Sequence, residues 1–287
     1  MVDADLVGRG FTSERQGMQP SSSSEPGTRQ PSPTTYGFVG TGEITAAIVE
    51  GLSTRGDEAP AVFLSPRGRA VGRELADRFP NVRVCGSNQE VLESATSIVL
   101  AVRAPLAREV LAELSFRPEH VLLSAVAGVR RERLLDWAAP TGRVVRTIPL
   151  PQAARGQSLT VMYPDDAAAR ELFDRVGGVL VPDEEETLEA FSAATATFAA
   201  HLDYLGTIAS WLADHGVDHD AATAYVAHVF GQLGQSLSRH TGSLATLAGK
   251  HTTPGGINEQ LMSDLRRDGV PGAVRRALDR ILVRLRE

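Results

Sequence analysis

The sequence predicts an α/β fold, in which a doubly wound, mostly parallel sheet is followed by an all-helical region. Three observations predict it. Short apolar runs alternate with helical patterns as far as residue 182, the first of these runs are continuously apolar, and no strand pattern follows Pro182. Continuous apolar runs are typical of strands that are covered on both faces. The alternation of strands with helices favours a parallel sheet.

Eight apolar runs are the predicted strands, and four stretches between them are predicted helices. The strands cover residues 36–40, 61–65, 82–85, 97–102, 120–128, 143–149, 158–163 and 177–182. The helices cover Thr45–Leu52, Arg67–Phe79, Pro105–Leu114 and Arg131–Ala138. These elements predict a first domain from 36 to 182. The chain of 287 residues then has room for a second domain of ordinary size.

Residues 183–287 are predicted to form a helical domain. Apolar residues recur at steps of three and four from Leu188 to Leu212, which predicts one long helix. Asp183 and Glu186 open it at capping-box spacing, and Gly216 ends it. Further helices are predicted over residues 218–240, 258–267 and 271–286. About 105 residues of helix make a thin core, so we expect a homodimer through this half; the alternative is that the helices pack only on the sheet.

The composition is that of a globular protein, with 42% hydrophobic and 22% charged residues. The net charge of -6 does not favour binding to nucleic acid or anionic lipid, and no apolar run is long enough to span a membrane. Residues 1–35 are predicted to be a disordered tail rich in Pro, Ser, Thr and Gly. Cys85 is the only cysteine, so an intrachain disulfide is impossible, which suits a reducing cytoplasm.

The stretch "YGFVGTGEIT" passes from a predicted strand through two glycines into a helix. In a Rossmann-type fold such a turn seats a dinucleotide pyrophosphate, because one glycine makes the turn and the next lets the backbone approach the phosphates. The predicted phosphate-binding residues are Gly40, Thr41, Gly42, Glu43 and Ile44. Thr45 stands where a third glycine is usual. Paired glycines also occur in strand-turn-helix units that bind nothing.

The end of the second strand predicts which cofactor is bound. An acidic residue there would select a free ribose 2′-hydroxyl, but the sequence has Ser65, Arg67 and Arg69. Guanidinium groups pair with phosphate in a fork geometry. We therefore predict NADPH rather than NADH. The alternative is that Arg67 and Arg69 are solvated charges at a helix start.

At this point the sequence resembles the pyrroline-5-carboxylate reductase family. The motifs that carry the resemblance are, in order, "GFVGTG", "SPR", "AVRAP", "LLSAVAG", "VVRTIP" and "TTPGG". The resemblance implies a Rossmann domain followed by a helical dimerisation domain. It also implies an enzyme that reduces a cyclic imine carboxylate, 1-pyrroline-5-carboxylate, to proline with NAD(P)H.

The resemblance also assigns site residues. Gly40 and Gly42 match the family's cofactor glycines, and Ser65 and Arg67 match its 2′-phosphate ligands. The residues implied to lie at the nicotinamide and its ribose are Val102, Ala104, Pro105, Ala127 and Gly128. The loop implied to bind the substrate carboxylate through backbone N–H groups contributes Thr252, Thr253, Gly255, Gly256 and Asn258. Thr253 and Asn258 are the implied catalytic residues, and no metal site is implied.

Three departures from the family pattern lie in the substrate half of the implied site. Leu150 replaces an asparagine, "SAATAT" (192–197) replaces a Gly- and Pro-containing motif, and Asn258 replaces a threonine. They leave two alternatives open, namely reduction of a different cyclic imine and a non-catalytic nucleotide-binding paralogue. A hydroxy-acid dehydrogenase is disfavoured, because Lys250 is the only lysine and lies far beyond the helix that would carry the catalytic one.

Overall fold

The structure is a computed structural model that describes residues 34–54, 56–239 and 242–287. The predicted disordered tail therefore lies outside the described residues, apart from its last two positions. His240, the last residue of one predicted helix, lies outside them too.

The strand prediction is confirmed, with shorter bounds than predicted for most strands. The strands are β1 (Tyr36–Val39), β2 (Val62–Leu64), β3 (Val82–Val84), β4 (Ser97–Leu100), β5 (Val121–Ser124), β6 (Arg143–Ile148), β7 (Ser158–Tyr163) and β8 (Gly177–Leu180). They form one sheet in the order β3-β2-β1-β4-β5-β6-β7-β8. Every pair is parallel except β6 with β7. The strand order reverses between β1 and β4, which makes this the topological switch point.

The helices between the strands include two that the sequence reasoning missed. They are α1 (Glu43–Ser53), α2 (Arg69–Arg78), α3 (Asn88–Ser94), α4 (Ala104–Ala112), α5 (Arg131–Trp137) and α6 (Ala167–Arg175). The two missed helices are α3 and α6. Each has an N-cap that could have revealed it, since Ser87 accepts a hydrogen bond from Glu90 N and Asp166 accepts from Ala168 N.

The continuous apolar strands are explained by a core on each side of the sheet. All four residues of β1, β4 and β5 are buried. One core contains Phe38, and the other contains Ile98. Burying one such side chain contributes about 1.5–3 kcal/mol. The central strands, whose C-terminal ends carry the candidate site, are therefore the best-anchored part of the sheet.

Beyond the sheet the described residues form only helices and their connections, as predicted. The helices are α7 (Thr187–Thr195), α8 (Thr197–Asp214), α9 (His219–Ser238), α10 (Leu244–Lys250), α11 (Ile257–Arg267) and α12 (Val270–Arg286). Helix α8 packs on α9, whereas α12 packs on α7 and on α11. Together with the sheet, these helices confirm the predicted fold class.

The prediction of one long helix from Asp183 is wrong in two respects. The helix begins at Thr187, and its N-cap residue Glu186 makes no side-chain capping bond, so the predicted capping box does not form. The helix is also divided at Ala196. Thr195 and Thr197 each donate a side-chain hydrogen bond to a backbone carbonyl three residues earlier, at 2.7 Å. Such bonds compete with the helical pattern, which a count of apolar spacings does not detect.

Candidate functional site

The glycine turn lies at the switch point of the sheet, between the C-terminal ends of β1 and β4. Gly40 has φ +100°, and a Cβ there would overlap the carbonyl of Ala101, which follows β4. Because only glycine tolerates both conditions, the tight approach of the two strand ends explains Gly40 without any ligand. In parallel α/β sheets this crevice is the usual ligand site.

Gly42, by contrast, has no explanation within the protein. Its φ of -110° suits any residue, and a Cβ built there would meet nothing within 4 Å. It is the N-cap of α1, and no side chain caps the helix. The first-turn N–H groups therefore point at open space that a side chain would fill, and helix N-termini attract anions. This is the arrangement that a dinucleotide pyrophosphate requires, so the residues present fit that cofactor.

Hydrogen bonds connect this turn to the loop after β2. The Ser65 hydroxyl accepts a hydrogen bond from Gly40 N at 3.0 Å, and it lies 3.1 Å from the Thr41 hydroxyl, which also bonds the Ser65 carbonyl. A Cβ at Gly68 would overlap the Thr41 carbonyl. Ser65 and Thr41 are both buried. Ser65 is thus placed behind the turn, where its hydroxyl holds the two loops together.

Arg67 and Arg69 flank the same turn from the outside. Both side chains are exposed, and neither makes an ion pair with another described residue. Gly68, which lies between them, contacts Thr41 of the turn, so Arg67 and Arg69 are the sequence neighbours of that contact. Unpaired guanidinium groups beside a glycine turn can bind an added phosphate.

The remaining predicted cofactor residues lie along the other edge of the crevice. Val102 contacts the Cβ position of Gly40, while Ala104 and Pro105 are exposed in the first turn of α4. Ala127 and Gly128 lie in the loop after β5, and Gly128 has φ +75°. That loop also touches the C-terminal helix, since the Gly128 Cβ position lies 3.3 Å from the Leu285 carbonyl. The structure therefore brings these residues together around the ends of β1, β4 and β5.

A cavity of about 340 Å³ adjoins this edge. Ile44 of the turn and residues 125–127 form one wall, the end of β6 forms the floor, and residues of α7 and α12 close the other side. The lining is mainly apolar, and Arg146 is its only charged residue. Leu150 does not line it; it lines a neighbouring apolar cavity that shares Ile148 and Thr195 with the first. The helical half thus covers the crevice, as a hydride-transfer site requires.

The sequence reasoning missed the ion-pair cluster beneath this cavity. Arg146 is buried and donates to the Glu185 carboxylate through Nη1 and to the Glu189 carboxylate through Nη2, each at 2.8 Å. Glu185 also accepts from Arg131 N at 2.8 Å. The cluster therefore joins β6, α5 and α7. A charge inside the apolar run "RVVRTI" is the signal that could have found it.

The predicted substrate loop lies elsewhere in the chain. His251, Thr252 and Asn258 line a separate cavity with residues of α9 and α10, and this cavity shares no residue with the one beside the turn. Within one chain, the predicted substrate residues Thr252 and Asn258 therefore do not line the cavity beside the turn. The loop precedes α11, which packs on α12, and α12 contributes Ile281 and Leu285 to the cavity beside the turn.

Several groups predicted to bind the substrate already have partners within the loop. Gly255 N donates to the Glu259 carboxylate at 2.7 Å, and Gly256 N donates to the Thr253 carbonyl at 2.9 Å. Thr252 donates to Ala248 O, and the Asn258 amide donates to His251 O, both at 2.8 Å. The Glu259 carboxylate thus occupies an N–H group that the resemblance assigns to a substrate carboxylate.

Two other features, a metal site and a membrane span, have no candidate among the described residues. In the part of the chain that the structure describes, no three acidic, histidine or cysteine side chains converge as metal ligands. None of its helices combines the length and apolar content of a membrane span.

Comparison with known proteins gives two family matches. Residues 35–128 match the family described as NADP oxidoreductase, coenzyme F420-dependent. Residues 185–287 match pyrroline-5-carboxylate reductase dimerisation. The sheet order, the glycine turn and the first match define a protein of the NADP oxidoreductase class.

Similar sequences narrow this class. The pyrroline-5-carboxylate reductase of Pisum sativum is 28% identical over 274 residues, covering 88% of this chain and 95% of that protein. The pyrroline-5-carboxylate reductase of Pseudomonas aeruginosa is 25% identical, covering 84% and 92%. These matches confirm the resemblance to the pyrroline-5-carboxylate reductase family.

Solved structures share the fold. The 1-pyrroline-5-carboxylate reductase of Streptococcus pyogenes is 20% identical, with a TM-score of 0.74 over 88% of this chain and 98% of that one. The Plasmodium falciparum enzyme with NADP bound is 15% identical, with a TM-score of 0.72 over 88% and 97%. A reductive aminase from Aspergillus terreus in complex with NADPH is 13% identical, with a TM-score of 0.56 over 88% and 91%.

Proposed function

We propose that this protein is an NADPH-dependent imine reductase that reduces 1-pyrroline-5-carboxylate to proline, and so acts in proline biosynthesis. The observation that carries the proposal is the uncapped, open turn at Gly42, at the switch point of the sheet. Similarity to pyrroline-5-carboxylate reductases over most of the chain supports the reaction. The domain division at residue 182 and the site residues below are parts of the same proposal.

The cofactor is held by the crevice around β1, β4 and β5. The first-turn N–H groups from Gly42 to Ile44 bind the pyrophosphate, and Arg67 with Arg69 binds the 2′-phosphate. Ser65 contributes by fixing Gly40 and Thr41. The nicotinamide end is lined by Val102, Ala104, Pro105, Ala127 and Gly128. When bound, NADPH supplies a hydride to the imine carbon.

The protein's own contribution to catalysis is positioning and exclusion of water. The cavity beside Ile44 and Ala127 is apolar, so a bound imine is separated from solvent. Helix α7 forms one wall and is fixed to β6 by the ion pairs of Arg146. A rigid wall keeps the reacting carbon at the short distance that hydride transfer needs.

A homodimer reconciles the two separate groups of site residues. The large hydrophobic side chains that are most exposed are all in the helical half except Leu159, and they include Leu202, Trp211, Leu244 and Ile257. These exposed apolar side chains lie in the region that matches a dimerisation family, and this supports self-association. In the dimer, the loop from Thr252 to Asn258 of one copy approaches the cofactor crevice of the other. Thr252, Thr253, Gly255, Gly256 and Asn258 then contact the substrate, and Thr253 and Asn258 are the candidate catalytic side chains.

A second candidate function is reduction of an imine that lacks a carboxylate. It is favoured by the bond from Gly255 N to the Glu259 carboxylate, because a negative charge there repels a substrate carboxylate. Glu259→Gln should then raise kcat/KM for 1-pyrroline-5-carboxylate but not for 1-pyrroline. Glu90→Gln is the matched control, because Glu90 caps α3 with the same kind of bond, to Gly86 N at 2.7 Å.

We also propose a cytoplasmic location, since Cys85, the only cysteine, is buried and unpaired. The acidic net charge supports a small-molecule substrate rather than nucleic acid or an anionic membrane.

A panel of imines assayed with NADPH and NADH tests the proposal. The purified protein should oxidise NADPH in the presence of 1-pyrroline-5-carboxylate and release proline. Faster turnover of 1-pyrroline would favour the second candidate. Binding of NADPH without oxidation across the panel would instead support a non-catalytic paralogue and would refute both reductase proposals.

A further inference from the structure

The cavity beside the cofactor turn contains three hydroxyl side chains, and two of them have partners within the protein. Thr147 donates to the Ser124 carbonyl at 3.2 Å, and Thr195 donates to the Ser192 carbonyl at 2.7 Å. The Ser192 hydroxyl has no hydrogen-bond partner among the described residues, and its side chain is half-buried in the cavity lining. A serine in a helix often donates to the carbonyl one turn earlier. The Ser192 hydroxyl makes no such bond with a described residue, so it is available to a ligand.

The position of Ser192 is fixed by the ion-pair cluster. Glu189 lies three residues before it on α7, and residues at this spacing share a helix face. Glu189 is 8% exposed and is held by Arg146 Nη2 at 2.8 Å. The same Arg146 lines the cavity. The buried ion pair between Glu189 and Arg146, one turn away, therefore holds Ser192 at the cavity wall.

Ser192 carries the one hydroxyl of this lining that has no partner among the described residues. Arg146 bonds two carboxylates through Nη1 and Nη2. Its buried Nε has no partner among the described residues, but a guanidinium N–H only donates and cannot accept from another N–H. The rest of the lining is apolar apart from the two bonded threonines. Asn258 lines a different cavity, and its amide group bonds His251 O.

We propose that the Ser192 hydroxyl is a catalytic hydrogen-bonding group for the imine nitrogen; this rests on the proposed function. Its oxygen accepts a hydrogen bond from the N–H of the protonated imine, which is the more electrophilic form. The imine carbon receives the hydride, the C=N electron pair moves to nitrogen, and nitrogen keeps its proton. Ser192 is unchanged at the end, because a hydroxyl has acceptor lone pairs and needs to transfer nothing.

Substitution of Ser192 tests the proposal. Ser192→Ala should lower kcat at neutral pH by about tenfold or more, the loss expected for one hydrogen bond to a charged group. The loss should shrink at acidic pH, because the bound imine then stays protonated without the hydroxyl; the pH profile of kcat reports groups in the enzyme–substrate complex. Ser192→Thr, which keeps a hydroxyl, should retain most of the activity. NADPH affinity and Tm should stay close to the wild-type values.

Ser94→Ala is the matched control, since Ser94 is a half-buried serine on α3, away from the cavity. The proposal is overturned if Ser192→Ala keeps kcat within about twofold of wild type, or if Ser192→Ala and Ser192→Thr lose activity equally at every pH. A wild-type protein that reduces no imine in the panel would refute the proposed function itself. An active wild type with an unaffected Ser192→Ala would refute only the role of Ser192.

Discussion

Arg146 of β6 and Glu189 of α7 form a buried ion pair, with Nη2 2.8 Å from Oε1 and side chains only 5% and 8% exposed. The two residues are 43 positions apart, and their contact fixes the first helix of the helical half against the sheet. Removing one member of a buried pair leaves the other charge without a partner, which costs far more than the pair contributes.

We expect Arg146→Met to lower the free energy of unfolding by about 3 kcal/mol. The double variant Arg146→Met/Glu189→Met should recover about half of that loss or more, because no unpaired charge stays fully buried. Urea unfolding measures both. Arg143→Met is the control on the same strand: its pair with Asp166 is half-exposed at Arg143 and should cost about 1 kcal/mol or less. Equal losses for Arg146→Met and Arg143→Met would contradict this account.

The two glycines of the turn should respond differently to alanine. Gly40→Ala should destabilise the fold by about 2 kcal/mol or more, because of its positive φ and its overlap with Ala101. Gly42→Ala should leave Tm almost unchanged and weaken NADPH binding about tenfold, since the added methyl group enters space that only a ligand would use. Thermal melts with calorimetric titration distinguish the two. A Gly42→Ala variant that binds NADPH normally would show that the open space has another explanation.

Arg67→Ala should discriminate between the cofactors. Arg67 is exposed, precedes Gly68 at its contact with the turn, and makes no ion pair with a described residue. Its loss should lower kcat/KM for NADPH by about tenfold to a hundredfold, and should leave the value for NADH within about twofold, because only NADPH carries the 2′-phosphate. Arg83→Ala, which removes an arginine paired with Glu90 after β3, serves as control. Equal effects of Arg67→Ala on both cofactors would remove the phosphate assignment.

His120 should make stability depend on pH. Its ring is fully buried; Nδ1 accepts from Arg117 N at 3.0 Å, and Nε2 lies 3.0 Å from Leu92 O. Burial, followed by the charge of Arg117, lowers the pKa of His120 below its ordinary value of 6.5. As the pH falls, the unfolded chain therefore binds a proton at His120 before the folded protein does. The contribution of neutral His120 to stability is complete above the unfolded pKa, and stability falls as the pH drops through that value. Tm should decrease between about pH 7.5 and 5.5, and this decrease should be smaller in His120→Gln. His219→Gln, which changes an exposed histidine, should show the same decrease of Tm as the wild type.

The sequence predicted the sheet and the glycine turn well, because those features are local. Continuous apolar runs identify the buried strands, and the spacing of Gly40 and Gly42 identifies the turn. Features that depend on distant contacts were missed. Arg146 is explained only by Glu189, the break at Ala196 follows from threonine hydroxyls, and the position of the Thr252–Asn258 loop depends on how α11 and α12 pack. The sequence suggests substrate-binding chemistry for that loop, but it does not predict where the loop lies relative to the glycine turn.

The most direct test of the central claim is to follow the hydride itself. The protein is incubated with 1-pyrroline-5-carboxylate and NADPH that carries deuterium at the transferable position of nicotinamide C4, and the product is analysed by mass spectrometry. We predict proline that has gained a single deuterium, formed by the wild type and strongly reduced in Gly42→Ala at subsaturating NADPH. Consumption of NADPH without labelled proline, or unlabelled proline as the product, would contradict direct hydride transfer to the imine carbon.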